Sequence, residues 1–171
     1  TIANDTVIGD GLQQGTKLGP LQNKMQYEKV KELIESARQD GNIVAGGEVP
    51  DQSGYFIRPT IVRDVTEGSR IVDEEQFGPV LPVIRFSDES DAIARANNSD
   101  YGLGGSVWSS DLDRAYDVAN QMNTGTVWIN KHAELDPGIP FGGSKQSGLG
   151  NELGMEGLKE FTQLKMINMA R

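Results

Sequence analysis

The chain has 171 residues, no cysteine, one histidine and a net charge of −9, with 36% hydrophobic and 24% charged residues. Without cysteine there are no disulfides and no thiolate metal sites, and a single imidazole is too little for a zinc centre, so no metal is expected. An acidic surface repels phosphates, which excludes nucleic acid, and no apolar run reaches the ~20 residues needed to span a membrane.

Residues 1–21 carry Gly9, Gly11, Gly15, Gly19 and Pro20 without a sustained apolar period and read as an irregular lead-in. There is no initiator methionine and no basic-then-apolar leader, so the reading is a cytoplasmic protein cut from something longer. Lys24 to Gln39 spaces Tyr27, Val30, Ile34 and Ala37 for one face of an amphipathic helix, ended by Gly41. Ile43 to Ala45 is a short strand, Asp51 to Gly54 a turn, and Tyr55 to Val65 extended chain interrupted by Pro59. Val80 to Phe86 is β-rich, and Pro82 marks it as irregular or near an edge. Ser87 is placed to cap a helix lined by Ala92, Ile93 and Ala96.

Gly104 to Trp108 is a further strand, Asp111 starts a helix carrying Leu112, Ala115, Val118, Ala119 and Met122, and Thr126 to Ile129 is a strand again. This alternation predicts βαβ units: one undivided α/β unit, with a mostly parallel sheet and flanking helices. A short helix is expected near Glu156 to Phe161. Gln163 to Met169 reads as a last strand with no partner in the chain, and an unpaired apolar edge recruits another chain, which predicts a homo-oligomer.

Between these elements lies Pro140 to Gly157, PFGGSKQSGLGNELGMEG. So many glycines mean either positive φ or the close approach of another group. No glycine directly precedes Lys145, so this is not a Walker loop, and Gly148, Gly150 and Gly154 space as GxGxxxG rather than as the dinucleotide fingerprint.

Three stretches in order, EEQFGPV at Glu74 to Val80, NTGTVWIN at Asn123 to Asn130, and PFGGSKQSGLGNELG at Pro140 to Gly154, resemble the NAD(P)-dependent aldehyde dehydrogenase superfamily. LGPL at Leu18 to Leu21, GYFIRPTIV at Gly54 to Val62 and YGLGGSVWSSD at Tyr101 to Asp111 extend the resemblance over almost the whole chain. It implies that residues 1–171 are the C-terminal part of an aldehyde dehydrogenase catalytic domain. It also implies a nicotinamide cofactor, NAD or NADP, and an aldehyde substrate oxidised to a carboxylic acid.

By the same resemblance Glu75 accepts from the hydroxyls of the nicotinamide-side ribose, as a carboxylate can from two neighbouring donors. Phe77 borders the nicotinamide ring, and Gln26 and Lys29 match helix side chains that touch a ribose in some members. Glu152 matches the glutamate of an RELG-type motif assigned to a proton relay, with Asn151 here in place of the usual basic residue. Held among glycines and apolar groups it serves as a base; at a helix start it serves the dipole, and both readings stay open. Phe141 matches an aromatic wall of the aldehyde pocket, while His132, Glu134 and Asp136 fall in the loop that shapes substrate access.

The family's chemistry needs a cysteine thiolate that attacks the aldehyde and leaves a thioester for water to release. This sequence has none. Two expectations follow: a catalytic-domain piece inactive alone, or a non-catalytic interaction or regulatory module of the same fold.

Overall fold

The computed structural model describes residues 2–170. Where one undivided unit is expected, its contacts group into two compact units, residues 1–85 and 86–171.

The first unit is built around a helix. After α1 (Ile2–Asp5) and an irregular stretch closed by an Ile8–Leu18 bridge, α2 runs over Lys24–Asp40. Asn23 caps it, its Oδ1 accepting from the Gln26 amide at 2.8 Å. The chain leaves at Gly41, where a Cβ would stand 2.6 Å from the Arg63 carbonyl oxygen, so a side chain has no room. Val30, Leu33, Ile34 and Ala37 are the buried stripe of α2, and burying each of the three larger side chains stabilises by about 1.5–3 kcal/mol. They pack with Ile57, Val62, Val65, Ile71 and Val80 into one core.

The sheet on this core has the order β1 (Asn42–Ala45), β2 (Thr60–Arg63), β3 (Val80–Val83). β1 and β2 are antiparallel, whereas β2 and β3 run parallel from Thr60↔Val80 to Arg63↔Val83. Pro82 lies on β3, a terminal strand of this sheet, where its missing N–H does least harm. Only the part of the extended stretch after Pro59 forms a strand. The short helix α3 (Arg70–Asp73), which the sequence pattern does not announce, leads into the 74–80 loop.

The second unit contains α4 (Glu89–Asn97), β4 (Tyr101–Gly102), β5 (Gly104–Val107), α5 (Leu112–Gln121) and β6 (Thr126–Ile129). It continues with β7 (Phe141–Gly142), β8 (Ser144–Lys145), β9 (Asn151–Glu152) and α6 (Gly154–Glu160). The N-cap of α4 is Asp88 rather than Ser87, since its carboxylate accepts from the Asp91 amide at 3.0 Å. Asp111 caps α5 as expected, at 3.0 Å from the Arg114 amide. β5 and β6 are parallel; β4 pairs with β8 and β7 with β9, both antiparallel. The architecture is thus mixed α/β, with the parallel pairings in the longer strands.

Asn97 ties the end of α4 to the exit of α5 and to β8. Its Nδ2 donates to the Gln121 carbonyl at 2.7 Å, its Oδ1 accepts from the Asn123 amide at 2.7 Å, and its own carbonyl accepts from Lys145 Nζ at 2.9 Å.

Gln163 to Met169 is not a strand. It is irregular and exposed, with Leu164, Met166, Ile167 and Met169 all above 80% accessible, because no described strand offers the backbone partner a strand requires. No described helix is long and apolar enough to cross a membrane, and the described residues hold no cluster of three or more His, Asp or Glu fit for a metal ion.

Candidate functional site

In the first unit the candidate residues meet at the 74–80 loop. Two glutamates stand side by side there, with different fates. Glu74 closes α3 and pairs with Arg70, Nε to Oε1 at 2.6 Å, and this hydrogen bond holds its carboxyl below the usual carboxylate range. The Glu75 side chain is exposed and accepts no hydrogen bond from the described residues, so both its oxygens are open to a ligand. Phe77 is 72% exposed and takes φ +43°, a left-handed backbone uncommon for a bulky residue, which turns a large apolar ring outward. An open acceptor pair two residues from an outward ring suits a ligand with neighbouring hydroxyls and a flat heterocycle.

Gln26 and Lys29 do reach this loop, but through its backbone. Gln26 Nε2 donates to the Gln76 carbonyl, and Lys29 Nζ donates to the Glu75 carbonyl at 2.7 Å. Gln76 in turn bonds the Val80 carbonyl at 2.8 Å. Gly78 lies against α2, where a Cβ would meet Val30 Cγ2 at 2.5 Å. The loop is therefore held against α2 at three places, the carbonyls of Glu75 and Gln76 and the bare Cα of Gly78, leaving Glu75 and Phe77 as its outward side chains.

In the second unit the glycine stretch folds over β4. Ser147 Oγ accepts from the Gly102 amide at 2.9 Å, Ser144 Oγ donates to the Gly102 carbonyl at 3.1 Å, and Lys145 Nζ donates to the Asn97 and Ser99 carbonyls at 2.9 Å each. A cation at these carbonyls suits the C-terminal end of α4. The glycines divide between the two expected uses. Gly148, Gly150 and Gly154 have positive φ. Gly142 and Gly143 do not; instead a Cβ on Gly142 would collide with Asn151 Oδ1 and come within 2.8 Å of the Gly150 carbonyl oxygen. Gly125 is needed for the same reason, because the Gly142 carbonyl lies directly over it.

Phe141 and Glu152 face each other in the β7–β9 pairing. The enclosure that would make Glu152 a buried base is absent: its side chain is exposed, one residue before the α6 cap Leu153. Phe141 packs instead toward Trp128, ring centroids 6.3 Å apart, and His132 meets the same indole edge-on at 5.5 Å. Trp128, 8% exposed, is the hub that residue-by-residue reading overlooked, although it sits inside NTGTVWIN. Its indole N–H donates to the Glu134 carbonyl at 2.9 Å. Ser106, also overlooked, lies opposite Trp128 in the β5–β6 register and 2.5 Å from His132 Nδ1. Of the loop carboxylates, Glu134 lies 3.5 Å from Lys131 Nζ and Asp136 accepts from the Gly138 amide at 2.7 Å.

A model of the aldehyde dehydrogenase family matches residues 2–167. The chain is 44% identical over 165 residues to a betaine aldehyde dehydrogenase of Rhizobium leguminosarum bv. trifolii, covering 94% of this chain and 34% of that protein. It is 46% identical over 162 residues to an NADP(+) succinate-semialdehyde dehydrogenase of Deinococcus radiodurans, with the same coverage. Among solved structures, the NAD+ complex of an aldehyde dehydrogenase from Bacillus cereus superposes with a TM-score of 0.91 at 43% identity, over 96% of this chain and 34% of that one.

Proposed function

Because the chain belongs to the aldehyde dehydrogenase family and spans about a third of the length of the curated relatives it matches, we propose that it supplies one wall of the cofactor and aldehyde sites of an NAD(P)-dependent enzyme converting an aldehyde to a carboxylic acid. When bound, the nicotinamide cofactor accepts a hydride from the substrate. On this side of the site Glu75 accepts from the ribose hydroxyls and Phe77 borders the ring. Gln26 and Lys29 act one step back, fixing the carbonyls of Gln76 and Glu75 so that the loop does not yield when its acceptors are loaded.

Phe141 walls the aldehyde and His132 stands at its access loop. Glu152, exposed opposite Phe141, serves the proton relay through water. The nucleophile of the proposed thioester route must come from residues other than these 171, which contain no cysteine. In the same reading the enzyme is a cytoplasmic homo-oligomer, supported by the apolar side chains that residues 161–169 leave exposed.

The observation that carries this proposal is the contrast between the two neighbouring glutamates: Glu74 is paired, Glu75 is open, and the open one stands next to an outward aromatic. Its test replaces the matching third of the Bacillus cereus relative by this chain and measures single-turnover NADH formation. Glu75→Gln should slow hydride transfer by one to two decades, since a hydrogen bond to a charged group is worth roughly 1.5–3 kcal/mol. An unchanged rate would remove Glu75 from the site. The second reading, a non-catalytic module, rests on the missing thiol, and micromolar cofactor binding by the chain alone without turnover would favour it.

A further inference from the structure

The parallel register sets Ser106 of β5 opposite Trp128 of β6. After β6 the chain turns back at Asn130, whose φ is +55° and whose side chain is bound at both ends to Ser109, accepting from its amide at 2.9 Å and donating to its carbonyl at 2.8 Å. That double clasp fixes the exit of the strand and brings His132 back over the Ser106–Trp128 pair. The imidazole is then held on two sides: Ser106 Oγ lies 2.5 Å from Nδ1, and the Trp128 ring lies edge-on at 5.5 Å.

Ser106 Oγ has no other hydrogen-bond partner among the described residues; a hydroxyl can donate or accept, and where it donates to the ring, Nδ1 is the acceptor. A neutral imidazole that accepts at Nδ1 carries its own proton at Nε2. Nε2 has no partner among the described residues, and the ring is exposed. The two carboxylates of the same loop do not compete for a ligand on equal terms, because Glu134 faces Lys131 and Asp136 closes its own turn onto Gly138.

We propose that Ser106 is a positioning residue that locks His132 as the Nε2–H tautomer, so that the access loop presents a hydrogen-bond donor. It thereby selects aldehydes bearing an oxygen acceptor, such as a carboxylate, at the end remote from the reacting carbon. A quaternary ammonium at that end has no lone pair with which to accept from the Nε2–H. The specificity half rests on the aldehyde dehydrogenase reading above; the tautomer half does not. Sequence similarity does not decide between these substrate classes, since relatives named for betaine aldehyde and for succinate semialdehyde match this chain at 44% and 46% identity.

With one histidine in the sequence, the imidazole nitrogens of the 15N-labelled chain can be read without ambiguity. With the imidazole neutral, long-range 1H–15N correlation should give a protonated Nε2 and an unprotonated Nδ1. Ser106→Ala should mix the tautomers and Ser106→Thr should restore the single one. A tautomer mixture in the parent chain, or no change in Ser106→Ala, overturns the lock. In the Bacillus cereus chimera, His132→Phe should raise the KM for succinate semialdehyde relative to that for betaine aldehyde about tenfold, the order expected for one hydrogen bond to a charged group. Ser106→Ala should move the same KM in the same direction by less, and Ser106→Thr should not. Equal effects on both aldehydes overturn the selectivity. An inactive chimera counts against the function proposed above, and the nitrogen shifts then decide the lock alone.

Discussion

Gly78 offers the most direct test of how the 74–80 loop is held. A Cβ there would stand 2.5 Å from Val30 Cγ2 and 3.1 Å from Val30 Cγ1, against an ordinary carbon–carbon contact of about 3.5–4.0 Å. Relief needs a shift of about 1 Å, because 3.5 minus 2.5 is 1.0. Val30 has no room to give: it is 0% exposed, in the middle of the α2 stripe. Either α2 moves off its core or the loop moves outward with Glu75 and Phe77. Overpacking of this kind costs about 1–3 kcal/mol. Gly78→Ala should therefore lower the urea midpoint by that equivalent. Val30→Ala should also destabilise, by opening a cavity, yet the double variant should be less unstable than the sum of the two by about 0.5–3 kcal/mol, since each substitution accommodates the other. Additivity of the two effects, or a Gly78→Ala variant as stable as the parent, would refute the close approach as the reason for glycine.

Gly142→Val should destabilise more than Gly143→Val, because the first drives a side chain into Asn151 and the Gly150 carbonyl, whereas the second meets Ser147 at a marginal 3.0 Å; thermal melts of the two variants check the order. Light scattering at micromolar concentration should find a dimer or larger species, and a monodisperse monomer would count against the exposed 161–169 stretch as an assembly surface. The chain alone should give no NADH from an aldehyde panel and should bind NAD with a Kd above about 1 mM, under ~4 kcal/mol of binding energy, by calorimetric titration. Turnover that survives repurification would require a nucleophile other than a thiol.

The regular elements were legible because their signals are local. The α2 stripe, the Asp111 cap, the β6 apolar run and the Pro82 edge each follow from residues within a few positions, and each stands where the pattern puts it. The roles of Gln26 and Lys29 were not legible, because reach to a backbone carbonyl about fifty residues away depends on packing. Ser106 and Trp128 were missed because only the β5–β6 register brings them together. The Gln163 to Met169 strand failed for the converse reason: alternation supplies an apolar face, but a strand also needs a neighbour's amides and carbonyls, and none is at hand among the described residues. The glycines of the 140–157 stretch were recognisable as special, but whether each answers to dihedral angle or to crowding is a tertiary fact.

Asn97 has a dynamic consequence. One side chain holds the last turn of α5 through Gln121 and the chain beyond it through Asn123, while the same residue's carbonyl anchors Lys145 of the glycine stretch. None of these three attachments can open far while the other two are shut. The exit of α5, the end of α4 and the base of the glycine stretch should thus exchange their amide hydrogens with solvent on one shared clock, as a single cooperative opening rather than three separate frayings.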